Sequence, residues 1–183
     1  LSVLVSCNKT DIFSVKEIEG EFTDYKGDVI YAVYENFESG IITDTLYLDN
    51  LKFKKNLKLN DSKTPVYLLD SNLNNITTLF LKESDKVSLS GSSQPYQTVI
   101  TGDSTNILLA NFFNENSSLL LKYDSLKKVY IEKHQDSLYI DELVKLNNSI
   151  VKISSSFVEL NSSSPASTFI LYASSRAANM YSV

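Results

Sequence analysis

From residue 11 to about residue 102 apolar and polar positions alternate in short runs broken by turn residues, the pattern of an antiparallel β-sandwich or barrel. Phe13, Val15 and Ile18 open the first run, which ends at Glu19-Gly20. The turn Tyr25-Lys26-Gly27-Asp28 leads into Val29-Ile30-Tyr31-Ala32-Val33-Tyr34. Ser39-Gly40 separates that run from Thr45-Leu46-Tyr47-Leu48. Asp49-Asn50 reads as a hairpin turn into Leu51, Phe53, Leu57 and Leu59. After Asn60-Asp61-Ser62, Pro65 opens Val66-Tyr67-Leu68-Leu69, where it costs only a ladder donor that an edge strand can spare. Asn74-Asn75 leads to Ile76, Thr78, Phe80 and Lys82 on one face, with Leu79 and Leu81 on the other. Ser84-Asp85 turns into Val87, Leu89 and Gly91, and Thr98-Val99-Ile100-Thr101 is the last run. About eight strands at this short, regular spacing predict a sandwich. Parallel βαβ units are not expected, because no helical period falls between the runs.

Beyond Gly102 the period lengthens from two to about 3.6. Asp103 or Ser104 can cap a first helix, whose stripe is Phe112, Leu119, Tyr123, Leu126 and Tyr130. His134-Gln135-Asp136-Ser137 reads as a turn. A second helix carries Leu143, Leu146, Ile150, Ile153, Phe157 and Leu160 at alternating spacings of three and four, as in a coiled-coil pair. Asn161-Ser162-Ser163-Ser164 ends it. Ser164 as cap and Pro165 at the first helical position start a third helix through Phe169, Ile170, Leu171, Tyr172 and Ala173 toward Met180. The fold class expected is therefore α+β: an antiparallel β-sandwich over 11–103, then a helical hairpin and a third helix over 104–183.

Composition narrows the chemistry. The 183 residues include one Cys, one His and no Trp, and the net charge is −5. A single Cys makes neither an internal disulfide nor a CxxC pair, and a single His supports no His-rich metal site. The five glycines fall in no GxGxxG or GxxxxGK[ST] frame, so no nucleotide loop is expected. No catalytic constellation, cofactor or metal site is expected. The acidic balance favours neither nucleic acid nor an anionic membrane surface as a partner. His134 lies in a charged, polar stretch and reads as a solvated side chain. Lys52-Phe53-Lys54-Lys55 reads as a solvated strand face that discourages edge pairing. Tyr31, Tyr34, Tyr47 and Tyr67 offer material for a carbohydrate platform, although tyrosine also simply suits half-buried pleated surface.

The start of the chain carries the one candidate modification site. Leu1-Ser2-Val3-Leu4-Val5-Ser6-Cys7-Asn8-Lys9 reads as the end of a signal-peptide hydrophobic region leading into polar sequence. Leu4-Val5-Ser6-Cys7 resembles the bacterial lipobox, which implies diacylglycerol on the Cys7 thiol, cleavage before it and acylation of the new amino terminus. Each buried methylene contributes about 0.8 kcal/mol, so several acyl chains anchor firmly. Residues 1–10 are thus expected to be the end of a lipoprotein signal peptide and a tether. Asn8 in place of Asp favours the outer membrane over inner-membrane retention, and the location expected is the envelope of a Gram-negative bacterium, lipid-anchored in the periplasm or at the outer membrane. No stretch has the ~20 apolar residues of a spanning helix.

Several segments together resemble the N-terminal region of TlpA-type thioredoxin-like lipoproteins. They are the lipobox, Phe13-Ser14-Val15-Lys16-Glu17-Ile18-Glu19-Gly20 and Asp28-Val29-Ile30-Tyr31. Thr78-Leu79-Phe80-Leu81-Lys82-Glu83-Ser84-Asp85-Lys86-Val87 and Val99-Ile100-Thr101-Gly102-Asp103-Ser104 belong with them. Asn161-Ser162-Ser163-Ser164-Pro165-Ala166 is similar to the family's Asn-x-x-Ser-Pro segment. The resemblance implies a β domain of uncharacterised role, a helical region, and then a catalytic thioredoxin-like domain. The family's Trp-Cys-x-x-Cys site has no counterpart here, so no catalytic residue is carried over. The expectation is a domain that tethers or positions a thiol-disulfide oxidoreductase or its protein clients, with the redox domain beyond Val183. The alternative is a free-standing surface lipoprotein whose sandwich binds glycan or peptide, or serves as structure.

Overall fold

The computed structural model describes residues 14–36, 39–59, 64–81, 86–133 and 137–179. Cys7, Phe13, Asn60, Asp61, Ser62, Lys82, Ser84, Asp85, His134 and Met180, named above, lie outside the described residues. Among those described, two four-stranded sheets pack face to face and helices follow them. The strands are β1 Ser14–Phe22, β2 Val29–Asn36, β3 Gly40–Tyr47 and β4 Lys52–Leu59. They continue with β5 Pro65–Leu69, β6 Asn75–Phe80, β7 Val87–Gly91 and β8 Thr98–Thr101. One sheet has the order β4-β1-β7-β8 and the other β3-β2-β5-β6. The α+β class with an N-terminal sandwich is what the alternation predicts.

The inner faces form one core. Ile18, Phe22, Leu57, Leu59, Val87, Leu89 and Ile100 from the first sheet meet Ile30, Ala32, Leu46, Val66, Leu68 and Leu79 from the second. Stripping these side chains of water at about 25 cal/mol per Å² is the main force holding the sheets together.

Four details differ from the sequence reading. First, β1 pairs with β7 in parallel, Ile18 beside Val87 and Glu19 beside Ser88, within an otherwise antiparallel sheet. Strand alternation reports which face is buried but not which distant strand lies alongside. Second, the phase of β1 is opposite to that set by Val15. Ile18 and Phe22 point inward, and the pleat turns Lys16 inward with them, leaving Val15 59% exposed. Third, Asp49-Asn50 does not join a hairpin. Asn50 and Leu51 adopt φ of 50° and 67°, and Asp49 and Lys52 exchange backbone hydrogen bonds, but β3 and β4 belong to different sheets. The turn carries the chain across the sandwich. Fourth, β5 is an interior strand. Pro65 is tolerated because it lies beyond the last β2 partner, Val66 beside Tyr34, and faces Phe80 across β6.

The helices are α1 Ser104–Glu115, α2 Ser117–Glu132, α3 Ile140–Leu160 and α4 Pro165–Asn179. The expected first helix is thus divided at Asn116. There the Asn116 side-chain amide donates to the Phe112 carbonyl at 2.7 Å, sharing that acceptor with the Asn116 backbone amide at 3.3 Å. Asp103 rather than Ser104 caps α1, accepting from the amides of Thr105 at 2.8 Å and Asn106 at 3.2 Å. Gly102, with φ of +115°, makes the bend into that cap while passing the Lys86 carbonyl. Helix α1 lies along β8 and reaches β6, closing the open side between the two sheets. Helices α2 and α3 share Leu120, Tyr123, Leu143, Leu146 and Ile150. Ala166 and Ile170 of α4 pack with Leu109, Phe112 and Phe80. As predicted, Ser164 caps α4, its hydroxyl accepting from the Ala166 amide at 3.2 Å.

Candidate binding surfaces

The two outer faces of the sandwich differ in chemistry. On the sheet containing β1, the outward glutamates of β1 are paired with lysines. Glu17 meets Lys54 at 2.9 Å and Lys86 at 3.4 Å, Glu19 meets Lys86 at 2.7 Å, and Glu21 meets Lys52 at 3.4 Å. Hydrogen bonds from Lys54 to Glu17 and from Lys86 to Glu19 hold both carboxyls below the usual range. Exposed pairs of this kind contribute little stability. They solvate the face and the β4 edge, as the Lys52–Lys55 pattern suggests.

The other outer face is uncharged across its middle. Tyr31 and Val33 on β2 lie beside Thr45 and Thr43 on β3 and beside Leu69 and Tyr67 on β5. Tyr47 lies beside Val29 and is 76% exposed. The structure therefore divides the four candidate tyrosines. Tyr31, Tyr47 and Tyr67 share this face. Tyr34 points into the core, where its hydroxyl donates to Asp44 Oδ2 at 2.8 Å. Burial, then that carboxylate, pushes the Tyr34 phenol well above its ordinary pKa.

At one end of the sandwich three turns and α2 enclose a polar groove of about 930 Å³. The turns join β1 to β2, β5 to β6 and β7 to β8. Each is held by an aspartate or a tyrosine. Asp24 accepts from the Ser92 hydroxyl at 2.6 Å and from the Ser93 amide at 2.7 Å, and these bonds hold its carboxyl below the usual range. Asp70 accepts from the amides of Asn72 and Asn74, each at 2.8 Å. The Tyr25 hydroxyl donates to the Val29 carbonyl and accepts from the Ser71 amide at 3.2 Å. Tyr96, at φ of 65°, bridges sandwich and helices. Its ring lies 5.5 Å from that of Phe113, and its hydroxyl donates to Asp124 Oδ2 at 2.7 Å. Burial, and then Asp124, raises the Tyr96 phenol above its ordinary range.

A second groove, of about 570 Å³, lies between the outer face at Pro65, Tyr67 and Phe80 and the start of α4 at Thr168, Phe169 and Tyr172. None of the described residues that line it carries a charge. Neither groove was visible in the sequence, where their residues read as turn formers and helix caps. The only signal was the density of Asp, Asn, Ser and Tyr in those turns. Among the described residues no group of three or more His, Cys, Asp or Glu side chains is placed to hold a metal ion. No described helix is long and apolar enough to cross a membrane.

No family model matches this chain, and neither a curated protein nor a solved structure matches it.

Proposed function

We propose that this chain is a non-catalytic module of a lipid-anchored envelope lipoprotein, tethered through Cys7 and positioning a thiol-disulfide oxidoreductase domain or its clients. The signals behind this reading are the lipobox ending at Cys7 and the resemblance of the strand and helix-start segments to thioredoxin-like lipoproteins. The structural observation that supports it is the clamp between sandwich and helices. Asn106 of α1 is fully buried and bonds both backbone groups of Phe80 on β6, at 2.7 Å each. A stiff joint of this kind suits a spacer, because a tether raises the local concentration of what it carries only within its reach. The test is labelling of the full-length protein with a palmitate analogue in a Gram-negative host, together with the reading frame beyond Val183. Label lost in Cys7→Ser, and a downstream CxxC domain, are expected. An unlabelled, soluble product or a frame without that domain overturns the reading.

The polar loop-end groove favours a second reading, a surface lipoprotein whose sandwich captures a ligand. Its lining mixes Asp, Asn, Ser and Tyr, groups that exchange hydrogen bonds with a polar glycan or peptide. Saturable binding of such a ligand, abolished by Tyr96→Ala, is the expected result. Binding unchanged by that substitution sinks it.

A further inference from the structure

Tyr47, Tyr31 and Tyr67 stand on three adjacent strands of the face whose middle is uncharged, and the ladder fixes their order. Tyr47 is level with Val29, Tyr31 is two residues further along β2, and Tyr67 is level with Val33. The three side chains therefore descend the sheet in a diagonal line, one per strand, with neighbours about 7–8 Å apart. The line does not end at Tyr67, which also lines the groove against α4, where Phe169 and Tyr172 continue it. The result is a track of aromatic rings leading from an exposed edge strand into a cavity of about 570 Å³.

We propose that this track binds a neutral oligosaccharide. Three features select that ligand. The phenol rings offer flat apolar plates for the C–H faces of pyranose rings, and their diagonal spacing accommodates successive sugars of one chain. Between and beside the plates stand hydroxyls, from Thr43 and Thr45 on β3 and from Ser163 and Thr168 at the groove. Hydroxyls both donate and accept, which matches the same property of sugar hydroxyls. Finally, the paired charges Glu17, Glu19, Lys54 and Lys86 lie on the opposite face, while the tyrosine face carries the exposed carboxylate of Glu35 at one end of β2. Among the described residues no cation stands along the track, and the Glu35 carboxylate on the same face repels an anionic glycan. The inference rests on the reading of the sandwich as a ligand-binding module and is independent of the anchor at Cys7.

The test is calorimetric titration of the chain with cellohexaose, mannohexaose, laminarihexaose and chitohexaose, with sedimentation in parallel. Saturable binding of at least one hexasaccharide is expected. Tyr47→Ala and Tyr172→Ala, both at exposed positions, should each weaken it tenfold or more. Tyr47→Phe should retain it, since stacking needs the ring and not the hydroxyl. Lys54→Ala on the ionic face and Asp124→Asn in the loop-end groove should leave it unchanged. The proposal is overturned if none of the four sugars binds, or if both alanine variants bind as the parent does. Loss of binding in Asp124→Asn with both tyrosine variants intact moves the ligand to the loop-end groove: the module reading survives and the track does not. A dimer that Tyr47→Ala converts to monomer also overturns it, because the face would then be covered by a second copy.

Discussion

The side chain of Asn106 completes the edge of a β-sheet it does not belong to. Its Oδ1 accepts from the Phe80 amide and its Nδ2 donates to the Phe80 carbonyl, both at 2.7 Å, so the carboxamide stands where another strand's peptide group would. Strand β6 is the last in its sheet, and an uncovered edge invites pairing with another chain. Helix α1 covers it with one buried amide.

Asn106→Ala is accordingly expected to cost about 2–5 kcal/mol. It orphans two buried backbone groups, each worth about 1–3 kcal/mol when left unpaired. Asn106→Asp keeps the shape but cannot donate to the Phe80 carbonyl when ionised. It should be as damaging at neutral pH and partly relieved in acid, where the carboxyl regains a proton. Urea denaturation of both variants reads this directly. A loss below about 0.5 kcal/mol for Asn106→Ala, the size of an ordinary surface change, would remove the clamp from the account.

Gly102 supports the same joint from the other side. Its φ of +115° is one that L side chains rarely adopt, and an added Cβ would lie 2.5 Å from the Lys86 carbonyl oxygen. Gly102→Ala therefore meets two penalties, strain of about 1–3 kcal/mol and a backbone collision that β7 or the Asp103 cap must move to relieve. The expected result is a variant more destabilised than Asn106→Ala, with amide exchange accelerated first at Thr105 and Asn106. Stability within about 0.5 kcal/mol of the parent would contradict the geometry.

How much of this was legible is clearest in the pairs that separate. Ile30, Ala32 and Tyr34 alternate cleanly, and so do Val87 and Leu89, which is why the sandwich could be read from one sequence. Tyr31 and Tyr34 look alike in that sequence and end on opposite faces, one place out of phase. Only the burial of Ile30 and Ala32 decides which is which. Val15 misled because an apolar residue fits the rule, whereas Lys16, which breaks it, is the one that lies inside. The parallel β1–β7 pair and the Asn106–Phe80 bond join residues distant in sequence, and periodicity carries no information about either. The loop-end groove was hidden for the same reason: Asp24, Asp70 and Tyr96 sit in three separate turns, each complete as a turn signal on its own.

Lys16 gives the prediction that runs against ordinary substitution experience. It is 1% exposed, and among the described residues its Nζ has no hydrogen-bond partner. A buried polar group without compensation costs about 1–3 kcal/mol. Met has a similar length and no such cost, so Lys16→Met should raise stability by about that amount. The urea midpoint should move up with an unchanged slope. A fall in the midpoint would show that the ammonium has a partner that stabilises it, and the substitution would then have removed a real interaction.

The dependence on pH follows from groups whose shifts have identified causes, and it has two limbs. Asp24, Glu17, Glu19 and Glu142 are held below their ordinary values of 3.8 and 4.5 by bonds from Ser92, Lys54, Lys86 and Lys122. A depressed folded pKa means the unfolded chain binds protons first on acidification. Their contribution is present above the ordinary values and is lost as pH falls through the folded ones. Tyr34 and Tyr96 shift the opposite way, raised above 10.0 by burial and by Asp44 and Asp124. Above that pH the folded protein holds two phenol protons that the unfolded chain has released, so stability falls again as pH rises. Lys86, raised by Glu19, adds to this alkaline limb, since its contribution is present below 10.5 and is lost as pH passes its folded value. Denaturation midpoints should therefore form a plateau between about pH 5 and pH 9 with a decline on each side. Asp24→Asn should flatten the acid decline alone. Tyr34→Phe with Tyr96→Phe should lower the plateau, by losing two hydrogen bonds worth about 0.5–1.5 kcal/mol each, and flatten the alkaline decline. An alkaline decline of unchanged depth in that double variant would mean that the two phenols are not what couples folding to base.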